Sequence, residues 1–192
     1  MIQQFDHIRT SPLSLSAMYL CLGPERSGKT LLMKSLQGED IDEATQTVPT
    51  NGTNMFTIRN DDGHFEAVIR ELGGSMAPIW KHYFTRVRKI IYVIDTSNLC
   101  QISAAGVLLY SLLVEPSLKN VKIALVLAKM DLSYRQMRNE ALLMLQLTRL
   151  RKEITQEITV FETSAMTGEG IDKLRQWIFD PDTVKAAIAA NV

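Results

Sequence analysis

A chain of 192 residues with 46% hydrophobic side chains has the length and composition of one globular domain with an ordinary core. Its 21 Lys and Arg balance 21 Asp and Glu, so no net field draws it to nucleic acid or anionic lipid, and nucleic-acid binding is not expected. Cys21 and Cys100 cannot build a disulfide framework and are expected as core or half-buried thiols in a reducing cytoplasm. The apolar stretches fall well short of the ~18 residues of a membrane span. Met1-Ile2-Gln3-Gln4 shows neither a secretory pattern nor a glycine for acylation, so no direct membrane anchor is expected.

The apolar run Leu15 to Leu22 predicts a buried strand, and Leu31, Leu32, Met33 and Leu36 at helical spacing predict the helix that follows. Between them lies Gly23-Pro24-Glu25-Arg26-Ser27-Gly28-Lys29-Thr30, the pattern G-x-x-x-x-G-K-[ST]. In that strand, loop, helix context the loop amides form an anion nest and the helix N-terminus adds its dipole. Lys29 then reaches the β- and γ-phosphates, and the Thr30 hydroxyl ligates Mg²⁺.

Gly38 to Thr50 is polar and reads as an exposed, mobile loop. Thr53 to Arg59 and His64 to Arg70 flank Asn60-Asp61-Asp62-Gly63 and predict a β-hairpin. Lys89 to Asp95, Val121 to Leu127 and Ile158 to Phe161 read as further strands; Pro78 to Arg86, Ser103 to Val114, Tyr134 to Lys152 and Ile171 to Phe179 read as helices. This alternation predicts an α/β fold: a six-stranded, mostly parallel sheet with one antiparallel strand, covered by helices on both faces. Ligands of such sheets bind beyond the carboxyl ends of the strands. The chain divides into an N-terminal extension (1–14), one domain (15–180) and an alanine-rich tail (181–192), which composition leaves open between a short helix and a frayed end.

Four more segments fall on the predicted carboxyl-end loops: Val48-Pro49-Thr50-Asn51-Gly52, Glu71-Leu72-Gly73-Gly74-Ser75, Ala128-Lys129-Met130-Asp131 and Thr163-Ser164-Ala165-Met166-Thr167-Gly168-Glu169-Gly170. Singly each is ordinary turn chemistry. In this order they resemble the P-T-x-G, W-D-x-G-G-Q, N-K-x-D and S-A-K-T-G-E-G segments of the Ras-like small GTPases. Pro78-Ile79-Trp80-Lys81-His82-Tyr83-Phe84 is similar to P-L-W-R-H-Y-F of their ADP-ribosylation-factor branch.

The resemblance implies a P-loop small-GTPase fold that binds GTP or GDP with Mg²⁺. It implies that Thr50 ligates the metal and senses the γ-phosphate, that Gly74 offers its amide to that phosphate, and that the stem of Lys129 lies along the base. Asp131 would accept from guanine N1–H and the 2-amino group, a pair adenine does not offer. The Ala165 amide would meet guanine O6 while Ser164 braces the loop. It further implies protein effectors and regulators that read the switch segments, a monomer, and a role in membrane or ciliary protein transport, in the cytoplasm or in association with the cilium.

Several positions depart from the pattern. Ser75 stands where the family's water-orienting glutamine is expected and is too short to hold that water, so intrinsic hydrolysis should be slow or partner-dependent. Glu71 replaces the aspartate that holds Mg²⁺ through water, Ala128 replaces the asparagine that ties the base loop to the phosphate loop, and Met166 replaces a lysine beside the base. The alternative is a GTP-binding but catalytically inert interaction scaffold. A P-loop nucleotide kinase is a third reading, disfavoured because no arginine-rich lid follows the helices.

Overall fold

The computed structural model describes residues 13–14, 18–42, 44–45 and 47–190. In chain order the strands are β1 (Leu13–Ser14), β2 (Met18–Leu22), β3 (Thr53–Arg59), β4 (Phe65–Leu72), β5 (Val87–Asp95), β6 (Lys122–Ala128) and β7 (Ile158–Glu162). The helices are α1 (Lys29–Gln37), α2 (Leu99–Leu113), α3 (Arg135–Met144), α4 (Leu147–Glu153), α5 (Ile171–Ile178) and α6 (Pro181–Ala190). β2 pairs in parallel with β4 and β5, then β6 and β7 follow, and β3 closes the far side of β4 as the antiparallel strand.

β1 pairs in parallel with Phe65 and Glu66, on the side of β4 that β2 takes up at Ile69. β1 and β2 thus take up the same position in the sheet, beside β4, and the sheet has the six positions expected. The pairing also extends into the segment read as an N-terminal extension; positions 15–17, where the first strand was expected to begin, lie outside the described residues.

Alternation along the strands fills both faces. Leu20, Leu22, Ile90, Tyr92, Ile94, Ile123 and Leu125 turn toward α2 and α3, burying against Ile102, Leu109 and Leu145. Tyr19, Cys21, Ile91, Val93, Ala124 and Val126 turn toward α1 and α5, meeting Leu32, Met33, Leu36, Ile171 and Leu174. A strand buried on both faces needs the near-continuous apolar runs seen in β5 and β6. Cys21 is a core thiol as expected, but Cys100 is exposed at the start of α2.

Two elements differ from expectation, and the structure decides a third that composition left open. The helix predicted over Pro78 to Arg86 is a 3-10 segment, Gly74–Tyr83, pinned by a hydrogen bond from the Trp80 indole to Gly73 O at 3.1 Å. The helix predicted over Tyr134 to Lys152 divides into α3 and α4 at Gln146, whose backbone is left-handed (φ 47°). The tail folds as α6: Asp180 accepts the Thr183 amide at 2.8 Å, and Pro181 opens the helix.

Candidate functional site

Loops leave the carboxyl ends of β2, β5, β6 and β7 at one end of the sheet. The first runs from Gly23 into α1, with left-handed backbone at Arg26 (φ 57°) and Gly28 (φ 93°). The first intrahelical bond of α1 is donated by Leu32 N–H to Gly28 O at 2.9 Å, so the preceding amides have no helical carbonyl to meet. Lys29 is buried, and its Nζ donates to Gly23 O (3.0 Å) and Pro24 O (2.7 Å). Burial holds its pKa below the ordinary lysine value, opposed by the negative charges of Glu71 and Glu25. Ser27 is buried, and its hydroxyl has no hydrogen-bond partner among the described residues.

This loop floors a cleft of about 430 Å³. Glu25, Arg26, Gly28, Lys29 and Thr30 line it together with Thr50, Glu71, Gly74 and Lys129, and Thr47, Val48 and Pro49 also border it. Thr30 Oγ1 donates to Glu71 Oε1 at 2.6 Å and lies 3.4 Å from Thr50 Oγ1. Asn54, which sequence reasoning passed over, donates to Glu71 Oε2 at 3.1 Å and to Thr50 Oγ1 at 3.4 Å. Two hydroxyls and a buried carboxylate from three separate elements form a hard oxygen donor set, the chemistry of a Mg²⁺ site completed by phosphate oxygens and water. The residues therefore fit that ion.

The loops also contact one another. Gly73 N–H donates to Gly52 O at 2.9 Å. A Cβ on Gly74 would run into the Pro24–Glu25 backbone, so only glycine allows this close an approach to the phosphate loop. Ser75 is exposed and does not line the cleft.

Beyond the cleft, Asp131 Oδ1 accepts from Ser164 Oγ at 2.6 Å, joining the loop after β6 to the loop after β7. Ala165 is half-buried and Met166 exposed beside them. Lys129 has left-handed backbone (φ 60°), and its Nζ donates to Arg26 O (3.0 Å) and Asp95 Oδ2 (2.6 Å). The tie between base loop and phosphate loop expected of an asparagine at position 128 is thus made by Lys129. Ala128 contributes only its carbonyl, which accepts from the Thr96 hydroxyl at 2.7 Å. Asp95 and Thr96 were also missed, although a carboxylate closing the apolar run Lys89 to Asp95 marks a strand end.

A sheet of this order, with this loop in front of its first helix, is the fold of a small GTPase. The sequence profile of the ADP-ribosylation factor family matches residues 6–181, and the chain belongs to that family. It is 35% identical over 168 residues to human ADP-ribosylation factor-like protein 16, covering 84% of each chain. It is 32% identical over 164 residues to ADP-ribosylation factor-like protein 3 of Chlamydomonas reinhardtii, covering 84% of this chain and 88% of that one. Among solved structures, the Arl6 BBS3 small GTPase of Trypanosoma brucei with bound nucleotide analogue GppNp superposes with a TM-score of 0.72 at 19% identity, over 90% of this chain and 98% of that one. Among the described residues no helix is long and apolar enough to cross a membrane.

Proposed function

We propose that residues 15 to 180 form a guanine-nucleotide switch with slow intrinsic hydrolysis, acting as a monomer in membrane or ciliary protein transport in the cytoplasm. The observation that carries the reading is the meeting of Thr30 and Thr50 across Glu71, with Gly74 packed on the phosphate loop. A bound GTP supplies the γ-phosphate whose presence distinguishes the two states, and Mg²⁺ neutralises its charge. Around it Lys29 and the loop amides hold the phosphates, Thr30 and Thr50 hold the metal with Glu71 behind them, and Gly74 reads the terminal phosphate through its amide. Asp131, braced by Ser164, selects guanine, with the Ala165 amide and Met166 beside the base. Effectors and regulators read the segments around Thr50 and Gly74. Family membership supports the transport role.

Binding of a fluorescent GDP analogue with Mg²⁺ tests this reading. Lys29→Ala should weaken it by at least about tenfold, the loss of a charge-assisted hydrogen bond. Asp131→Asn should move base preference from guanine toward xanthine. Displacement by ATP as readily as by GTP would contradict the assignment.

The exposed position of Ser75 outside the cleft supports a second reading, a nucleotide-stabilised scaffold that does not turn over. Phosphate release measured with and without cell extract separates the two, and no stimulated release over hours would favour the scaffold.

A further inference from the structure

The phosphate loop carries an arginine whose side chain the nucleotide reading has not used. Three cations line the cleft: Arg26, Lys29 and Lys129. Lys29 is held by the carbonyls of Gly23 and Pro24, and Lys129 by Asp95 and the carbonyl of Arg26. The guanidinium of Arg26 makes no ion pair and no hydrogen bond among the described residues, and the residue is exposed at the rim.

Its backbone is left-handed at φ 57°, a conformation disfavoured for a residue with a Cβ. The bond from Lys129 Nζ to Arg26 O, 3.0 Å, anchors it there, at the junction of the phosphate and base loops. A small residue would meet the turn's needs with less strain, so the long cation is explained by what its head group does.

We infer that the Arg26 guanidinium is a strap over the mouth of the cleft, bonding the polyphosphate of the bound nucleotide and slowing its release; this rests on the guanine-nucleotide reading above. A planar fork of donors matches phosphate oxygens bidentately, which a point-charge ammonium does not. At the solvent-facing rim such a contact resists departure and weakens as salt screens it. Glu25, also at the cleft, forms no ion pair with Arg26 and leaves the fork available to phosphate.

The test is the release rate of a fluorescent GDP analogue from the Mg²⁺-loaded full chain. Arg26→Met keeps the Cβ and an unbranched stem but drops the charge, and should release about tenfold faster at low ionic strength, as expected for losing one charge-assisted hydrogen bond. Near 1 M salt the difference should shrink to about twofold. Arg26→Lys should fall between, and Arg26→Gly, which relieves the backbone, should still release faster than the native chain. Affinity for guanosine, which has no phosphate, should not change in Arg26→Met.

Release from Arg26→Met within about twofold of native at low salt would overturn the strap, as would acceleration equal at every ionic strength or an equal loss of guanosine. Native protein that binds no guanine nucleotide would overturn strap and switch together, whereas native binding with an unaltered Arg26→Met rate overturns the strap alone.

Discussion

At position 71 the family pattern has an aspartate and this chain a glutamate, one methylene longer. The longer arm lets its carboxylate reach Thr30 Oγ1 directly, and the Asn54 amide holds the second oxygen. Asn54 thereby fixes the orientation of a carboxylate behind the proposed metal site, a role whose loss typically costs ~10–100-fold in metal affinity. Asn54→Ala should raise the Mg²⁺ concentration that half-protects bound nucleotide from release by about tenfold. An unchanged Mg²⁺ titration would show that Glu71 is oriented without it.

The same scale shows why part of the site was legible and part was not. The phosphate loop is eight consecutive residues whose chemistry is local, and Lys29 and Thr30 both line the cleft. The bonds of Lys129 to Arg26 and Asp95 join residues 103 and 34 positions apart. No local pattern records which distant carbonyl an ammonium will meet.

At the scale of elements, the apolar runs located β2, β5 and β6 because these strands are buried on both faces, while β3 shows the alternation of a strand with one exposed face. Hydrophobic periodicity failed at the junction of α3 and α4, where Leu142-Leu143-Met144-Leu145-Gln146-Leu147 holds neither Pro nor Gly. Leu145 and Leu147 are both buried (4% and 6% exposed), while Leu143 is 77% exposed. Residues two apart point ~200° away from each other on one helix, so burying both requires the chain to turn between them. Gln146 makes that turn in left-handed backbone. Gln146→Gly should remove strain faster than it adds unfolded-state freedom, a net gain of about 0.5 kcal/mol. On thermal melting this corresponds to about 1–2 °C for a domain of this size, and a fall in Tm would refute the argument. The tail had its own local signal, since Asp180-Pro181 is a capping residue followed by a favoured first helical position. Its alanine-rich composition concealed that.

At the scale of the whole molecule, the end of the sheet opposite the cleft is fastened by a buried lysine. Lys89 Nζ donates to the carbonyls of Trp177 (2.7 Å) and Ile178 (3.0 Å) and pairs with Asp180 at 3.2 Å, while Lys122 pairs with the same carboxylate at 3.1 Å. Asp180 thus joins β5 and β6 to the start of α6. Burial alone would raise its pKa, but bonds from the Thr183 hydroxyl and amide and from Lys122, with the charge of Lys89, outweigh it and hold the carboxyl well below its ordinary value.

Because the folded carboxyl is the stronger acid, its stabilisation is complete above the unfolded pKa of ~3.9 and is lost as pH falls through that value toward the folded one. Asp180→Asn should therefore lower Tm at pH 7, and the gap to the native chain should close as pH is taken below about 4. A gap that stays constant with pH would mean that the charge is not what fastens this end. Since the cleft lies at the other end of the strands, nucleotide affinity should be unaffected.

The nucleotide released by heat from freshly purified protein, identified by chromatography, addresses the main claim most directly. Guanosine di- or triphosphate near one per chain is expected, and lost when Lys29 is replaced by alanine. Folded native protein that carries no guanine nucleotide and takes none up in the presence of Mg²⁺ would contradict the account.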